Sequence, residues 1–312
     1  MKNLKTFLFI SLLLAQFTLT AQDVLTNRAI KVIEQGDFNE FITVLKGTQG
    51  DTTLYNKLFL VACKNGQKEI AENLLKYGAN IDCTNENGWS AFMYACKNGY
   101  FDIAKWLLEN GVEIDRVGPI GRNSFAYACR SGHLELAKWL AEKGANVYNE
   151  DMYGGTVFLD ACEYDQSELV KFLVKIGVEI NRKNTLGTTG FMLACGHGNI
   201  RLAQWLLENG AKPDLTDNGG RSAFMMACNL GQLELVQWLD SKGNIEIDRV
   251  NIDGNTAFME TCFKGHFEIS KWLALKGAKI DRINKKGNSA IDLARMNGHP
   301  EIIEWLQSKE LE

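Results

Sequence analysis

The stretch Asn85-Glu86-Asn87-Gly88-Trp89-Ser90-Ala91-Phe92-Met93-Tyr94-Ala95-Cys96-Lys97-Asn98-Gly99, with its continuation to Leu107-Leu108-Glu109-Asn110-Gly111, decides the fold. Phe92, Ala95 and Cys96 stand at i, i+3 and i+4, so they share one face of a short helix that Asn98-Gly99 ends. Ile103, Ala104, Leu107 and Leu108 make a second apolar stripe, closed by Gly111. The following segment, Val112 to Gly121 with Gly118-Pro119 inside it, reads as an extended turn. One unit is therefore a helical hairpin plus a turn. Its apolar stripes cannot be buried by the unit alone, so copies of it must stack.

The copies are present. Cys63, Cys96, Cys129, Cys162, Cys195 and Cys228 recur every 33 residues, Cys262 follows after 34, and Arg295 takes the same place 33 later. Four residues before these positions stand Phe59, Phe92, Phe125, Phe158, Phe191, Phe224, Phe258 and finally Ile291. Eleven residues after them stands a Leu in every unit, from Leu74 and Leu107 to Leu273 and Leu306. Three residues after the Cys position stands a Gly in each unit except one, where Asp165 replaces it. A period of this size marks a solenoid. It also argues against a disulfide framework, although the chain has 8 Cys. Corresponding atoms of adjacent helices lie about 8–10 Å apart, whereas a disulfide needs Cα atoms within about 7 Å. The in-register thiols are expected to be small buried side chains. Cys83, out of register in a turn, is the one thiol expected to be accessible.

The period and this frame resemble ankyrin repeats. Gly132-His133-Leu134-Glu135-Leu136 and Gly78-Ala79-Asn80-Ile81-Asp82 are also similar to that family. Where the family usually reads Thr-Pro-Leu-His, the chain has Ser90-Ala91-Phe92-Met93, and no unit keeps the Pro or the His. The resemblance implies an all-α solenoid of helix-turn-helix units with extended turns. Its eight repeats are expected at 52–84, 85–117, 118–150, 151–183, 184–216, 217–250, 251–283 and 284–312. Residues 22–51 read as a degenerate N-terminal capping repeat, and Gln307 begins a polar C-terminal cap.

The 312 residues carry 34 Lys+Arg and 38 Asp+Glu, a net charge of -4, which excludes a strongly cationic nucleic-acid-binding surface for the protein as a whole. Lys2 and Lys5 precede the apolar run Phe7 to Ala15, and Leu19-Thr20-Ala21 precedes Gln22. That is the layout of a cleavable signal peptide over residues 1–21, too short to anchor. Its removal leaves 32 basic against 38 acidic residues. The 26 Asn include no Asn-x-Ser/Thr sequon, which points to a bacterial periplasmic or secreted protein. No integral membrane association is expected.

No metal or nucleophile motif occurs, and no cofactor is expected. His133, His266 and His299 read as local turn packing; His197, in Cys195-Gly196-His197-Gly198, is the exception. Trp106, Trp139, Trp205, Trp238, Trp272 and Trp305 form a column ten residues after the Cys. They read first as packing between second helices and alternatively as a ladder for an envelope polysaccharide. Acidic residues on the second helices read as a solvated face.

The resemblance implies a protein-binding scaffold, not an enzyme, that uses turn tips and first helices as a concave surface; a monomer is expected. Tip positions that the fold leaves free include Trp89, Ile120, Met152, Tyr153, Leu186 and Ile252, an apolar row. Beside it, Lys64, Lys97 and Arg130 are basic and Glu163 acidic, followed by Tyr164 and His197. Apolar anchors flanked by charge are the composition of an interface. Packing of tips on one another would account for Ile120 and Leu186 more readily than for Trp89 and Tyr153.

Overall fold

A computed structural model describes residues 23–48, 52–243 and 245–309. The expected signal peptide, residues 1–21, lies outside the described residues. Every regular element among them is a helix: α1 (residues 23–35) and α2 (Phe38–Gly47), then eight further hairpins. These are α3 (Thr52–Lys64) with α4 (Lys68–Lys76), α5 (Ala91–Lys97) with α6 (Phe101–Glu109), and α7 (Ser124–Arg130) with α8 (Leu134–Glu142). After them come α9 (Val157–Glu163) with α10 (Ser167–Lys175), α11 (Gly190–Gly196) with α12 (Ile200–Glu208), and α13 (Ala223–Asn229) with α14 (Leu233–Ser241). The last are α15 (Ala257–Lys264) with α16 (Phe267–Leu275) and α17 (Ala290–Met296) with α18 (Pro300–Lys309). The chain divides between Asn149 and Glu150 into two compact units. Each is a stack of hairpins of the predicted kind. Among the described residues no helix is long and apolar enough to cross a membrane.

The short first helices form because each is capped. Ser90 Oγ accepts the Met93 N–H at 3.2 Å, Asn123 Oδ1 accepts that of Ala126 at 3.0 Å, and Thr156, Thr189, Ser222 and Thr256 cap in the same way. Each such cap contributes about 1 kcal/mol. The departure from Thr-Pro-Leu-His thus leaves the cap intact. Within each unit successive first helices pack closely, whereas second helices approach each other less. The Phe column fills the space between hairpins: Phe59, Phe125, Phe158, Phe191 and Phe258 are fully buried, as are Leu74 and Leu107.

All 8 cysteines are buried and none is in a disulfide. Cys83 corrects the sequence reading: it is only 8 % exposed, because the turn lays it against α3 with Sγ 3.6 Å from the Asn56 carbonyl oxygen. Burial pushes the Cys83 thiol up to about 11 and the Cys262 thiol up to about 12. The thiols of Cys63, Cys96, Cys162, Cys195 and Cys228 are raised further by the same desolvation.

Three histidines do more than pack their own turns. The Nε2–H of His133 lies 3.0 Å from the Lys97 carbonyl oxygen, that of His266 2.9 Å from Asn229, and that of His299 3.0 Å from Phe263. Each ring therefore ties a second helix to the end of the first helix one repeat earlier. The approach is close: a Cβ on Gly99, whose φ is +73°, would stand 2.5 Å from the His133 ring. Asp165 is the one non-Gly residue with positive φ among the described residues, at 54°. Its carboxylate accepts from Ser167 Oγ, a local bond of the kind that lets Asp adopt this conformation, and from Asn199 Nδ2 of the next repeat.

Candidate interaction surface

The turn tips owe their shape to their opening residue. Asn184 Oδ1 accepts the N–H groups of Leu186 and Thr188 at 3.0 and 2.9 Å. Asp151 does the same for Tyr153 and Gly155, and Asn251 for Asp253 and Asn255. This side-chain turn occupies the opening residue inward and leaves the next two outward. In the second unit the tips are also tied in series. Asn218 N–H donates to the Leu186 carbonyl, Ile252 N–H to that of Gly219, and Lys285 N–H to that of Asp253, each at 2.9 Å. Thr185 Oγ1 donates to the Tyr153 carbonyl at 2.6 Å.

On this rigid row the apolar side chains stand bare. Met152 is 65 % exposed, Tyr153 64 %, Leu186 68 % and Ile252 59 %. Leu186 therefore departs from the expectation that tip packing accounts for it. The adjoining first helices add residues that the sequence reading missed. Leu193 and Met226 are half-buried and Leu230 exposed, around a Gly196 where a Cβ would stand 3.0 Å from Leu230 and 3.3 Å from Met226. His197 and Tyr164, at the ends of α11 and α9, are exposed, as is Glu163 next to Tyr164 in sequence. Glu260 lies along the same column, its carboxylate accepting from the side chains of Asn229, Asn251 and Asn255 at 2.7 to 3.1 Å.

The first unit presents different chemistry. Trp89 is not bare but half-buried, stacked on Tyr94 with ring centroids 5.1 Å apart and planes at 20°, and 4.5 Å from the Tyr127 ring. Lys97 Nζ lies 4.9 Å from the Trp89 centroid and Lys64 Nζ 5.9 Å from that of Tyr94. Asn85 Nδ2 donates to Tyr94 Oη at 2.9 Å, binding tip to helix. Tyr127, raised above the usual phenol range by burial, keeps a buried Oη that has no hydrogen-bond partner among the described residues. Ile120 is half-buried; Lys64, Lys97 and Arg130 are exposed. Tyr94 and Tyr127, like Leu193, Met226 and Glu260, stand two residues before the Cys. That place is variable from repeat to repeat, and its variability is the signal that marks it.

Three tryptophans of the column pack against rings of neighbouring hairpins. Trp106 meets Phe59 edge-on at 6.4 Å, Trp139 meets Phe101 at 5.2 Å, and Trp305 meets Phe258 and Phe267 at 6.2 and 5.8 Å. All six rings are half-buried. Among the described residues no group of three His, Cys, Asp or Glu is placed to hold a metal ion.

No curated protein matches the chain. A family model described as ankyrin repeats, in three copies, matches at residues 32–118, 58–151, 158–249 and 241–312. The matches cover most of the chain, and the capped hairpins and recurring Phe, Cys and Leu columns fall within them. The chain belongs to the ankyrin-repeat family.

Proposed function

We propose that this ankyrin-repeat protein is an exported, non-enzymatic scaffold that binds a partner protein through its turn tips and the adjoining faces of its first helices. The observation that carries this reading is the row Met152, Tyr153, Leu186 and Ile252, each more than half exposed on tips fixed by hydrogen bonds. The fold does not need these side chains, and large apolar groups held rigidly in water are what a partner's surface buries. Export rests on the leader-like residues 1–21. The tryptophans of the second-helix column are all half-buried, so the polysaccharide reading has less open ring surface behind it. The test is capture of partners by the mature protein from the envelope and medium of the source cell. Tyr153→Ala and Leu186→Ala should each weaken the captured partner by about 1–3 kcal/mol with the urea midpoint unchanged. Unchanged affinity in both would sink the surface assignment, and N-terminal sequencing that finds Met1 on protein retained in the cytoplasm would sink export.

A further inference from the structure

The helices α3, α5 and α7 of the first unit together contain no Asp or Glu, yet they carry Lys57, Lys64, Lys97 and Arg130. All four cations are exposed. Lys57, Val61 and Lys64 stand at i, i+4 and i+7, one stripe of α3. Among the described residues Lys57, Lys64 and Lys97 have no carboxylate within ion-pair distance; Lys64 and Lys97 rest over the rings of Tyr94 and Trp89 instead. The protein as a whole carries -4, so this face runs against its own average. The corresponding α9 of the second unit reverses the sign, with Asp160 and Glu163 and no cation.

We infer that the first-helix face of the first unit binds an acidic segment of the partner protein, carboxylates on Lys64, Lys97 and Arg130 and an aliphatic side chain against the Trp89–Tyr94–Tyr127 cluster. This rests on the proposed function and names the partner's chemistry. Lys57, Lys64 and Lys97, with no carboxylate within ion-pair distance among the described residues, gain most from a partner of opposite sign, which their charge also steers into place. The half-buried Trp89 offers apolar surface beside the Lys97 ammonium group. A nucleic acid fits less well. Single strands need open ring faces on which bases stack, and here the rings stack on one another and under two ammonium groups.

The experiment uses the full mature protein and three fluorescein-labelled probes: a peptide alternating Glu and Leu, its Lys and Leu counterpart, and a single-stranded DNA of similar length. Fluorescence anisotropy should show binding of the acidic peptide alone, weakened roughly tenfold or more between low and high salt as screening predicts. Lys64→Glu with Lys97→Glu should abolish it, Lys64→Gln with Lys97→Gln should weaken it, and Lys171→Glu with Lys175→Glu on α10 should leave it unchanged. Equal binding of both peptides, tighter binding of the DNA, no binding of any probe, or indifference to the Lys64 and Lys97 changes overturns the inference. A captured partner that is lost on Tyr153→Ala but keeps its affinity in the Lys64→Glu, Lys97→Glu protein would overturn the acidic-segment inference and leave the scaffold reading standing. Failure of both sets of variants to affect the partner would remove that reading too.

Discussion

The cysteine column makes stability depend on alkaline pH, and the size of the effect follows from burial. Desolvation raises the thiols of Cys162, Cys195 and Cys228 in the folded protein far above the value near 8.5 expected of an unfolded chain. The native state therefore holds these protons while the unfolded state releases them. The stability they confer is complete below the unfolded value and is lost as pH rises from about 8.5 toward the folded values. Between pH 7.5 and 9.5 the unfolded state gains about 1.4 kcal/mol per thiol, or about 4 kcal/mol for these three. That is a large part of the 5–15 kcal/mol typical of a domain. Urea unfolding followed by circular dichroism should show the midpoint collapsing across this interval. The triple variant Cys162→Ala, Cys195→Ala, Cys228→Ala should start slightly lower at pH 7.5, by about 1 kcal/mol per site, and fall much less steeply. All three positions lie in the second unit, so the same cooperative segment is compared. If wild type and triple variant lose stability in parallel from pH 7.5 to 9.5, the thiols are not desolvated in the way argued here. Reducing agent should leave the wild-type midpoint unchanged, since none of the 8 cysteines is in a disulfide.

The remaining expectations can be checked by the same unfolding assay. Gly111→Ala places a Cβ in open space at φ +88°, so only backbone strain of about 1–2 kcal/mol acts; Gly99→Ala adds displacement of His133 from the Lys97 carbonyl and should cost about 1 kcal/mol more. Equal losses in the two variants would show that the His133 contact contributes nothing. Leu206→Ala, in a fully buried place, should cost about 2–5 kcal/mol. Asp165→Ala should destabilise by about 1–2 kcal/mol, since Ala keeps the strained φ and loses the bonds to Ser167 and Asn199; a neutral result would mean those bonds do not hold the turn.

The fold was legible because each fold-making position repeats. Phe92, Cys96 and Leu107 are chosen by the same cavity that chooses Phe125, Cys129 and Leu140, so the period exposes them without any knowledge of the structure. What the period could not disclose is how an irregular residue sits. Cys83 lies outside the register, and only the turn that folds it onto the Asn56 carbonyl decides that it is buried. Trp89 and Leu186 both read as free tip positions. Trp89 is covered because Tyr94 and Tyr127 happen to be large on the neighbouring helices, while Leu186 is bare because its opening residue Asn184 turns it outward. Exposure at a tip thus depends on which side chains two adjacent repeats bring together, a pairwise property that no single-position pattern contains.

The place two residues before the Cys shows why repeats conserve a fold and still diversify a surface. It lies half a turn from the buried Cys face, so it escapes the cavity that constrains its neighbours. The chain fills it with Val61, Tyr94 and Tyr127 in the first unit and with Asp160, Leu193, Met226 and Glu260 in the second. Two of these residues are fixed by the tip beside them: Tyr94 by Asn85, Glu260 by Asn251 and Asn255. The same asparagine that shapes the turn therefore also orients the variable side chain on the helix behind it. Replacing Asn251 by Ala should loosen the tip bearing Ile252 and release Glu260 together, whereas Asn251→Asp keeps the acceptor for the turn but sets a carboxylate against Glu260. A tip that keeps its order in the Ala variant, read as unchanged amide exchange at Asp253 and Asn255, would refute this coupling.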